Sequence, residues 1–392
     1  MSLVRIGVNA LYLIPGGVGG TEIYLRSLLT ALAEIDSDNE YFIYVNRETR
    51  AAPLPAAPQF RVVQCNVGAG FRPFRIIYEQ IVLPLLLRAS RVDVLFNPGF
   101  TVPVLAPCPS VTVFHDLQHR RFPRFFRSRD LPFWSLLLWL AAERSSRLIA
   151  VSEATARDIR IYMPRHSGKT SVVHHGVDPE FFNIGERGNK RGPGGDSYVL
   201  AVSTLHPHKN LERLLDAFCV FLKSGYEGRL VIAGLKGLAA RRLEERARDL
   251  LQPDRVCFTG WIPRGALYRL FEDASAFISP SLFEGFGLPV VEALAAGIPT
   301  ACSAIPVYEE IAGRAVISFD PMSVSEIVRA LKRITGDREF RAQAAIAGPA
   351  RARMFDWNRS AAMTLCEFRR AAGVSSGDST ENERNSRPIP PS

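Results

Sequence analysis

Short apolar runs alternate with helix-like segments from residue 4 to about residue 355. The runs are rich in Val, Ile and Leu and end at Gly, Pro or polar residues, as strands buried on both faces of a parallel sheet do. The segments between them repeat apolar positions at helical spacing, for example at Leu211, Leu214 and Phe218. Because parallel strands need helical connections, the pattern predicts an α/β fold with helices on both faces of its sheets. The predicted strands include residues 4–11, 92–96, 111–114, 149–152, 198–204, 230–234, 256–260 and 276–279.

The periodicity stops between residues 183 and 197, where NIGERGNKRGPGGDS is rich in Gly, Pro and charged residues. We therefore predict an interdomain linker at 183–197, between an N-terminal domain of residues 1–182 and a C-terminal domain of residues 198–373. Residues 374–392, VSSGDSTENERNSRPIPPS, carry almost no apolar side chains to bury and are predicted to form a disordered tail. The two predicted domains are of similar size.

The composition fits two globular domains, since 47% of the 392 residues are hydrophobic and 22% are charged. Lys and Arg outnumber Asp and Glu by 48 to 39, and the net charge of +9 is compatible with nucleic acid, an anionic membrane surface or a polyphosphate ligand. The longest charge-free apolar run, at 131–142, is far shorter than the roughly twenty residues that a membrane-spanning helix needs. Residues 3–13 do not read as a signal peptide, so we expect a cytoplasmic protein that is not integral to a membrane.

Cysteines and histidines give no pattern of metal ligands. The six cysteines lie mostly in apolar runs without a C-x2-C pair, which predicts buried thiols in a reducing cytosol. Asp36 and Asp38 form a D-x-D, but polar turn residues surround them between a predicted helix and a predicted strand, so we interpret them as part of a turn. No metal site and no cofactor is predicted.

One stretch, residues 279–297 with the sequence SPSLFEGFGLPVVEALAAG, combines glycines with two carboxylates. Glu284 lies just before a predicted helix and Glu292 lies inside it, with a glycine-containing turn between them. A helix N-terminus attracts anions through its free backbone amides, and nearby carboxylates accept hydrogen bonds from sugar hydroxyls. The stretch therefore predicts a site for a ligand that is phosphorylated and rich in hydroxyl groups. The alternative is that Glu284 only caps the helix and Glu292 faces solvent.

Three further positions have the local structure of a ligand site. Residues 15–20, PGGVGG, join the first predicted strand to a helix at 21–33 and would present amides to phosphate, although a merely flexible loop is the alternative. Lys209 precedes the helix at 211–223, where its charge would neutralise a diphosphate unless it lies on a solvated face. His115 ends a predicted strand, at the edge where parallel sheets bind ligands, unless its role is structural.

The stretch at 279–297 resembles the E-x7-E element of retaining glycosyltransferases of the GT-B fold, family 4, including the flanking pattern S-P-S-x-x-E-G-F-G-L-P-x-x-E-A-x-A-x-G-x-P. The H-D-L at 115–117 and the lysine at position 209 resemble further positions of the family, and the resemblance extends over about residues 4–370. It implies two Rossmann-like lobes that face a cleft, with the C-terminal helix crossing back to the first lobe. It also implies metal-independent transfer of a hexose from a nucleoside-diphosphate sugar to a saccharide or lipid-linked saccharide acceptor, with retention of configuration.

The resemblance also implies roles for individual residues. In this family one glutamate contacts the donor sugar, the next binds the ribose, and the amides between them hold sugar hydroxyls and phosphate. A lysine and an arginine contact the diphosphate, but Thr204 stands at the arginine position here. A histidine lies beside the donor sugar, a glycine pair lines the cleft, and the leaving diphosphate itself takes the acceptor proton. The corresponding residues are Glu284, Glu292, Phe286, Gly287, Leu288, Thr204, Lys209, His115, Gly19 and Gly20, of which His115, Glu284 and Lys209 are the predicted catalytic residues.

Residues 119–129, HRRFPRFFRSR, interleave five arginines with three phenylalanines in front of an apolar run. Such a segment suits nucleic acid or an anionic lipid surface. Because no nucleic-acid-binding signature appears, we favour peripheral contact with an anionic membrane or a lipid-diphosphate-linked acceptor, with residues 76–87 as a second apolar face. A loop in front of an ordinary core helix is the alternative.

The pattern around Thr204 and the H-D-L resemble enzymes that build bacterial surface polysaccharides such as lipopolysaccharide, often mannosyl- or rhamnosyltransferases. This resemblance favours GDP-mannose as the donor. Two other functions stay open. A sugar-nucleotide 2-epimerase shares the fold and the glutamate pair, and a non-catalytic nucleotide-sugar-binding protein would keep the donor site without turnover.

Overall fold

A computed structural model describes residues 3–17, 19–52, 54–126, 128–187, 197–250 and 252–374. The strands are β1 Arg5–Ala10, β2 Glu40–Val45, β3 Phe60–Gln64, β4 Val94–Asn97, β5 Ser110–Phe114, β6 Arg147–Ala150, β7 Thr170–Val172, β8 Tyr198–Val202, β9 Arg229–Ala233, β10 Val256–Gly260, β11 Ala276–Ser279, β12 Thr300–Ser303 and β13 Ile317–Phe319. The helices are α1 Gly20–Ile35, α2 Arg72–Ala89, α3 Gln118–Arg121, α4 Leu131–Arg144, α5 Glu153–Tyr162, α6 Glu180–Arg187, α7 Leu211–Lys223, α8 Ala240–Leu250, α9 Arg264–Asp273, α10 Leu288–Ala295, α11 Pro306–Ala312, α12 Val324–Gly336, α13 Arg338–Ala352 and α14 Trp357–Ala372.

The described strands form two parallel sheets. One has seven strands in the order β3-β2-β1-β4-β5-β6-β7, and the other has six in the order β10-β9-β8-β11-β12-β13. In each sheet the first three strands run from β1 or β8 to one edge of the sheet. The next strand, β4 or β11, then pairs with the other side of β1 or β8. This doubly wound order creates a switch point between β1 and β4 and another between β8 and β11, where ligands bind beyond the carboxyl ends of the strands. The predicted α/β fold is confirmed.

The inner strands have the continuous apolar sequences that two covered faces require. All residues of β4, β5, β11 and β12 are buried. Side-chain caps mark several helix starts, since Ser152, Asp337 and Asp356 each accept a hydrogen bond from the backbone two or three residues into α5, α13 and α14. None of the helices formed by the described residues combines the length and apolar composition needed to cross a bilayer.

The chain divides into two compact units. The first ends at Gly176 and resumes at Asp356, and the second runs from Val177 to Phe355. Helix α14 therefore follows the second unit in sequence but belongs to the first, where the rings of Phe96 and Phe368 lie 5.1 Å apart. The guanidinium of Arg147 on β6 adds an ion pair of 2.7 Å with Glu367 on α14.

The predicted linker differs from the structure in its first part. Residues 183–187 are the second half of α6, because Phe181 and Ile184 are buried one turn apart on that helix. The ring of Phe181 packs edge-on against Phe271 of α9 at 4.9 Å. Asn183, Glu186 and Arg187 form the exposed side of this packed helix. Residues 188–196, and residues 375–392 of the predicted tail, lie outside the described residues.

Two smaller predictions have mixed outcomes. Cys65 and Cys302 are buried as predicted, whereas the prediction is wrong for Cys257, which is exposed because β10 is an edge strand. Asp36 lies in the turn between α1 and β2, where its carboxylate accepts hydrogen bonds from Asn39 and Tyr41. The other oxygen, Oδ1, accepts from Nδ2 of Asn39 and from the amide of Asp38, so both oxygens of Asp36 are used locally.

Candidate active site

The loops after β8 and β11 lie at the switch point of the second sheet and are locked together. Lys209 ends a single 3-10 turn just before α7. The next residue, Asn210, has a left-handed φ of 57° and donates through Nδ2 to the carbonyl oxygen of Pro280 at 3.1 Å. The backbone amide of Leu282 donates to the carbonyl oxygen of His208 at 2.8 Å. Because of these bonds, the positions of the lysine loop and the glutamate loop are fixed relative to each other.

Lys209 and Glu284 form a close ion pair in this position. The lysine Nζ lies 2.6 Å and 2.7 Å from the two carboxylate oxygens of Glu284, and each side chain is only 16% exposed. The hydroxyls of Ser281, at 2.7 Å, and Tyr308, at 3.3 Å, also donate to Oε1. Burial by itself would raise the pKa of Glu284, but the charge and hydrogen bond of Lys209 outweigh it and hold that pKa below its usual value. Glu284 is therefore an ionised carboxylate held in one orientation.

Helix α10 begins beside this pair. Gly287 is its N-cap with a left-handed φ of 100°, and a Cβ added there would lie 2.6 Å from a ring carbon of Tyr308, so only glycine fits. The side chain of Phe286 is buried edge-on against Phe355 at 5.6 Å. The Phe286 side chain is therefore part of the core, and a ligand role for the 286–288 amides stays a prediction.

Glu292 lies one turn inside α10 and is buried, with a side chain that is 3% exposed. The interpretation that it faces solvent is therefore wrong. Its Oε1 accepts a hydrogen bond of 2.9 Å from Nη1 of Arg264, which also pairs with Asp178 at 3.2 Å and stacks on Phe181 at 4.9 Å. Burial raises the pKa of Glu292 above its usual value, and the positive charge of Arg264 offsets only part of that effect.

Thr204 follows β8 by two residues, on the approach to Lys209. The carbonyl oxygen of Thr204 accepts a hydrogen bond of 2.7 Å from the amide of His206. The preceding residue, Ser203, packs against the backbone of Gly234, which has φ 147°. A Cβ added to Gly234 would lie 2.1 Å from the carbonyl oxygen of Ser203. Burial, together with the nearby charge of Lys209, lowers the pKa of His208 to about 3. This histidine is therefore neutral at pH 7 and does not replace the positive charge of the family's arginine.

His115 follows β5 in the first unit and is buried among aromatic rings. Tyr24 lies 5.0 Å away, Phe100 lies 5.6 Å away and His175 lies 5.7 Å away, measured between ring centroids. Its Nε2 lies 2.8 Å from the carbonyl oxygen of Pro98. Since a carbonyl only accepts, Nε2 carries the hydrogen and Nδ1 is an acceptor. Burial lowers the pKa of His115 to about 4, so the ring is neutral at pH 7.

Gly19 and Gly20 precede and begin helix α1 at the switch point of the first sheet. Gly19 is the N-cap with φ 60°, a left-handed value that favours glycine. A Cβ added at either position would meet no atom within 4 Å among the described residues. Steric crowding therefore does not explain why position 20 is a glycine. The amide of Gly16 donates to Glu22 at 2.8 Å, which ties the loop to the first turn of α1.

The arginines of residues 119–129 fall into two groups. Arg121 pairs with the buried carboxylate of Asp158 at 2.9 Å, so it has a structural role. Arg127 lies outside the described residues. The other described arginines of the segment are exposed: Arg120, Arg124 and Arg129.

Large apolar side chains are exposed on two helices near this segment. The guanidinium of Arg72 on α2 lies 5.7 Å over the ring of Trp134 on α4, so the two helices are neighbours. The prediction of an apolar face within 76–87 is confirmed, because it is exposed on α2. Helix α4 also exposes large apolar side chains, so it is not an ordinary core helix. The exposed apolar residues are Phe74, Ile77, Ile81 and Leu85 on α2 and Phe133, Leu136 and Trp139 on α4.

The structure groups the predicted residues by unit. In the second unit it brings Thr204, Lys209, Glu284, the 286–288 amides and Glu292 to one edge of the sheet. In the first it brings Gly19, Gly20 and His115 to the equivalent edge. The partners that fix these groups were not predicted from the sequence, above all Arg264, Tyr308 and Asn210. Of these three residues, only Asn210 could have been found from the local sequence, since Asn just before a helix tolerates the left-handed conformation.

Two family profiles match most of the chain. The one described as Glycosyltransferase Family 4 matches residues 18–181, and the one described as Glycosyl transferases group 1 matches residues 185–351. Among solved structures, a sucrose-phosphate synthase from Thermosynechococcus elongatus superposes with a TM-score of 0.78 at 18% identity, over 95% of this chain and 100% of that chain. The similarity to this solved structure concerns the fold alone.

Curated relatives are similar to parts of the chain. O-antigen chain mannosyltransferase B of Escherichia coli is 28% identical over 173 residues, 44% of this chain and 45% of that protein. O-antigen chain mannosyltransferase RfbU of Salmonella typhimurium is 27% identical over 255 residues, 65% of this chain and 68% of that protein. The chain thus spans about half the length of the first of these relatives. Taken with the two doubly wound sheets and the glutamate pair at the second switch point, the profiles show that the chain belongs to glycosyltransferase family 4, with the GT-B fold.

Proposed function

We propose that the protein is a retaining glycosyltransferase that moves a hexose from a nucleoside-diphosphate sugar to a saccharide or lipid-linked saccharide. The observation that carries this proposal is the partly buried Lys209–Glu284 pair, fixed at the β8–β11 switch point beside the N-terminus of α10. Amides at a helix N-terminus and a lysine favour a diphosphate, and an ionised carboxylate favours sugar hydroxyls. A single ligand that carries both groups is a nucleotide sugar.

In the proposed reaction the bond between the sugar C1 and the diphosphate oxygen breaks as the acceptor oxygen bonds to C1 on the same face. The acceptor proton passes to the leaving diphosphate, so no protein nucleophile is needed. Lys209 and the 286–288 amides stabilise the charge that develops on the diphosphate. Glu284 orients the sugar, and Glu292, fixed by Arg264 at 2.9 Å, binds the ribose. His115 contacts the donor sugar as a neutral hydrogen-bond acceptor through Nδ1. No metal is required in this scheme.

We propose mannose as the hexose and GDP-mannose as the donor, in the synthesis of a bacterial surface polysaccharide such as lipopolysaccharide. The support is the name of the relatives, two of which are O-antigen chain mannosyltransferases. They are 28% and 27% identical to this chain.

We also propose that the first unit contacts the cytoplasmic face of an anionic membrane, where a lipid-linked acceptor would lie. The support is the adjacency of exposed arginines, such as Arg120 and Arg124, to the exposed apolar faces of α2 and α4. Basic residues attract anionic headgroups, and apolar side chains beside them enter the interface.

A donor panel tests the proposed function. The purified chain is incubated with GDP-mannose, UDP-glucose, UDP-galactose and dTDP-rhamnose, and NMR records the released sugar and its first-formed anomer. We expect release from GDP-mannose, with the anomeric configuration of the donor retained and with activity persisting in excess chelator. Formation of a C2-epimeric sugar would favour the epimerase. Binding without release from any donor would favour the non-catalytic alternative, and a strict requirement for divalent cations would overturn the metal-independent mechanism.

A further inference from the structure

One buried side chain of the second unit contacts two separate parts of the candidate site. Tyr308 lies on α11, which follows β12, the strand beside β11. The end of α11 is anchored by α13, because the carbonyl oxygen of Ile311 accepts a hydrogen bond of 3.0 Å from Nε of Arg351. Tyr308 therefore belongs to a helix that is held in place next to the site, although it is not among the residues predicted to bind a ligand.

The ring of Tyr308 packs against the backbone at the start of α10. A Cβ added to Gly287, the N-cap of α10, would lie 2.6 Å and 3.3 Å from two ring carbons of Tyr308. A smaller side chain at position 308 would therefore leave a cavity beside the residues that begin α10. The ring thus supports the backbone amides at this helix N-terminus.

The hydroxyl of Tyr308 belongs to a chain of hydrogen bonds that ends on Glu284. Its oxygen lies 3.3 Å from Oε1 of Glu284 and 2.6 Å from Oγ of Ser279. Since an ionised carboxylate only accepts, Tyr308 donates its single hydrogen to Glu284 and accepts one from Ser279. Burial and the negative charge of Glu284 raise the pKa of Tyr308 well above its usual value, so the hydroxyl remains protonated and remains a donor.

These contacts make the two carboxylate oxygens of Glu284 different. Oε1 accepts hydrogen bonds from Lys209 at 2.6 Å, from Ser281 at 2.7 Å and from Tyr308 at 3.3 Å. Oε2 accepts from Lys209 at 2.7 Å. The rotation of the carboxylate is therefore set through Oε1, and Oε2 keeps more acceptor capacity for a hydroxyl group of a ligand.

We propose that Tyr308 is a positioning residue for the transfer reaction, which acts through its hydroxyl on Glu284 and through its ring on the start of α10. The proposal rests on the proposed function, because the sugar and the diphosphate of one donor would meet the two groups that Tyr308 holds. A phenylalanine would fill the same space against Gly287, so packing does not explain the hydroxyl. Its role is to keep Glu284 oriented while the sugar changes geometry in the transition state.

Two substitutions in the full chain separate the hydroxyl from the ring. With the best donor of the panel, Tyr308→Phe should lower kcat about three- to tenfold, with KM and the calorimetric affinity for the nucleoside diphosphate within about twofold of the wild type. Tyr308→Leu should weaken nucleoside-diphosphate binding as well, because the start of α10 loses its support. The matched control is Tyr198→Phe, which removes another buried hydroxyl of the same unit, one that donates to the carbonyl oxygen of Leu270 at 2.8 Å. This control should leave kcat unchanged.

A double-mutant cycle distinguishes positioning from a general structural effect. If Tyr308 acts through Glu284, Tyr308→Phe should lower kcat by less than about twofold when Glu284→Gln is already present, whereas independent structural effects would multiply. If Glu284→Gln turns over too slowly or Tyr308→Phe does not fold, Ser279→Ala tests the same hydroxyl, because Ser279 donates to it. Ser279→Ala should lower kcat by itself and should add no further loss to Tyr308→Phe.

Three results would overturn the positioning role of Tyr308. They are equal kcat values for the wild type and Tyr308→Phe, losses that multiply in the cycle with Glu284→Gln, and an equal loss of kcat in Tyr198→Phe. Each of these results requires sugar release by the wild type, so each leaves the proposed function intact. Absence of sugar release by the wild type from every donor would instead overturn the proposed function, and this role with it.

Discussion

At the scale of single residues, the candidate site depends on a few charged groups whose partners differ. Lys209 and Glu284 neutralise each other at 2.6 Å. Glu292 is paired with Arg264 instead, through a separate set of contacts. The two glutamates of the E-x7-E element therefore have independent environments, and their substitution should have different consequences.

Replacing Lys209 by Ala should lower turnover by more than about tenfold. The loss of one buried charge contact to the developing diphosphate costs on the order of 2 to 4 kcal/mol. The substitution also leaves the ionised Glu284 without its cation, so the melting temperature should fall. Steady-state kinetics with the best donor of the panel measures the effect, and Lys223→Ala, on the last turn of α7, is a control outside the site. Unchanged turnover would remove Lys209 from the site.

Glu284→Gln and Glu292→Gln should fail in different ways. Glu284→Gln keeps the shape and loses the charge that orients a sugar, so it should lose mostly kcat while the free nucleoside diphosphate still binds. Glu292→Gln should weaken nucleoside-diphosphate binding by about 1.5 to 3 kcal/mol, as expected for a charge-assisted bond to ribose. Calorimetric titration of GDP into both variants separates the roles. Loss of GDP affinity in the first variant, with retention in the second, would mean that the two roles are reversed.

Buried neutral histidines should make the protein sensitive to acid. The pKa of His115 falls to about 4 on burial, whereas an unfolded histidine titrates near its usual value. Between these two pKa values the unfolded chain binds more protons, so stability is lost as pH falls through that window. His115 alone should contribute a slope of about 1.4 kcal/mol per pH unit. Urea unfolding between pH 4.5 and 7 should show a shallower loss for His115→Gln, and an identical slope would show that this ring is not buried in its neutral form.

At the scale of elements, helices α2 and α4 combine buried chemistry with exposed apolar surface. Helix α2 buries Arg75 and Glu79 on one side and exposes Phe74, Ile77 and Ile81 on another. Apolar side chains exposed on two neighbouring helices, next to arginines, are unusual for a surface that meets only water.

Removing the exposed arginines should weaken membrane binding without unfolding the protein. The combined substitution of Arg120, Arg124 and Arg129 by Ser should lower binding to vesicles that contain anionic lipid, and binding of the wild type should fall as salt rises. Arg121→Ser is a contrasting control, because it leaves Asp158 buried without its 2.9 Å partner and should lower stability instead. Flotation of vesicles with protein measures the effect. Equal binding by the wild type and the triple variant would leave only a structural role for the segment.

At the scale of the whole molecule, the last helix completes the first unit. The Phe96–Phe368 ring contact and the Arg147–Glu367 ion pair join α14 to β4 and β6. The carbonyl of His174 also accepts a hydrogen bond from Ser360. Residues separated by 186 positions or more in sequence are thus part of one unit.

A chain that stops at Phe355 should lose the cooperative unfolding of the first unit and keep that of the second. The truncation removes Phe368 and Glu367 and uncovers the apolar face on which α14 packs, whereas α7, α12 and the second sheet keep their own core. Calorimetry of the full chain and of the truncated chain measures the transitions. A truncated chain that retains both transitions would show that α14 is not needed for the first unit to fold.

The sequence by itself determined the α/β class, most strands and helices, and the residues of the E-x7-E element, because these depend on local periodicity and on contiguous motifs. It also placed Lys209 before a helix and His115 after a strand. It did not show that Glu292 is buried beside Arg264 or that residues 183–187 are helical. Those features depend on contacts between residues far apart in sequence, where burial and pairing arise only once the sheets are assembled. Tertiary structure alone therefore decided which charges are buried and which are paired.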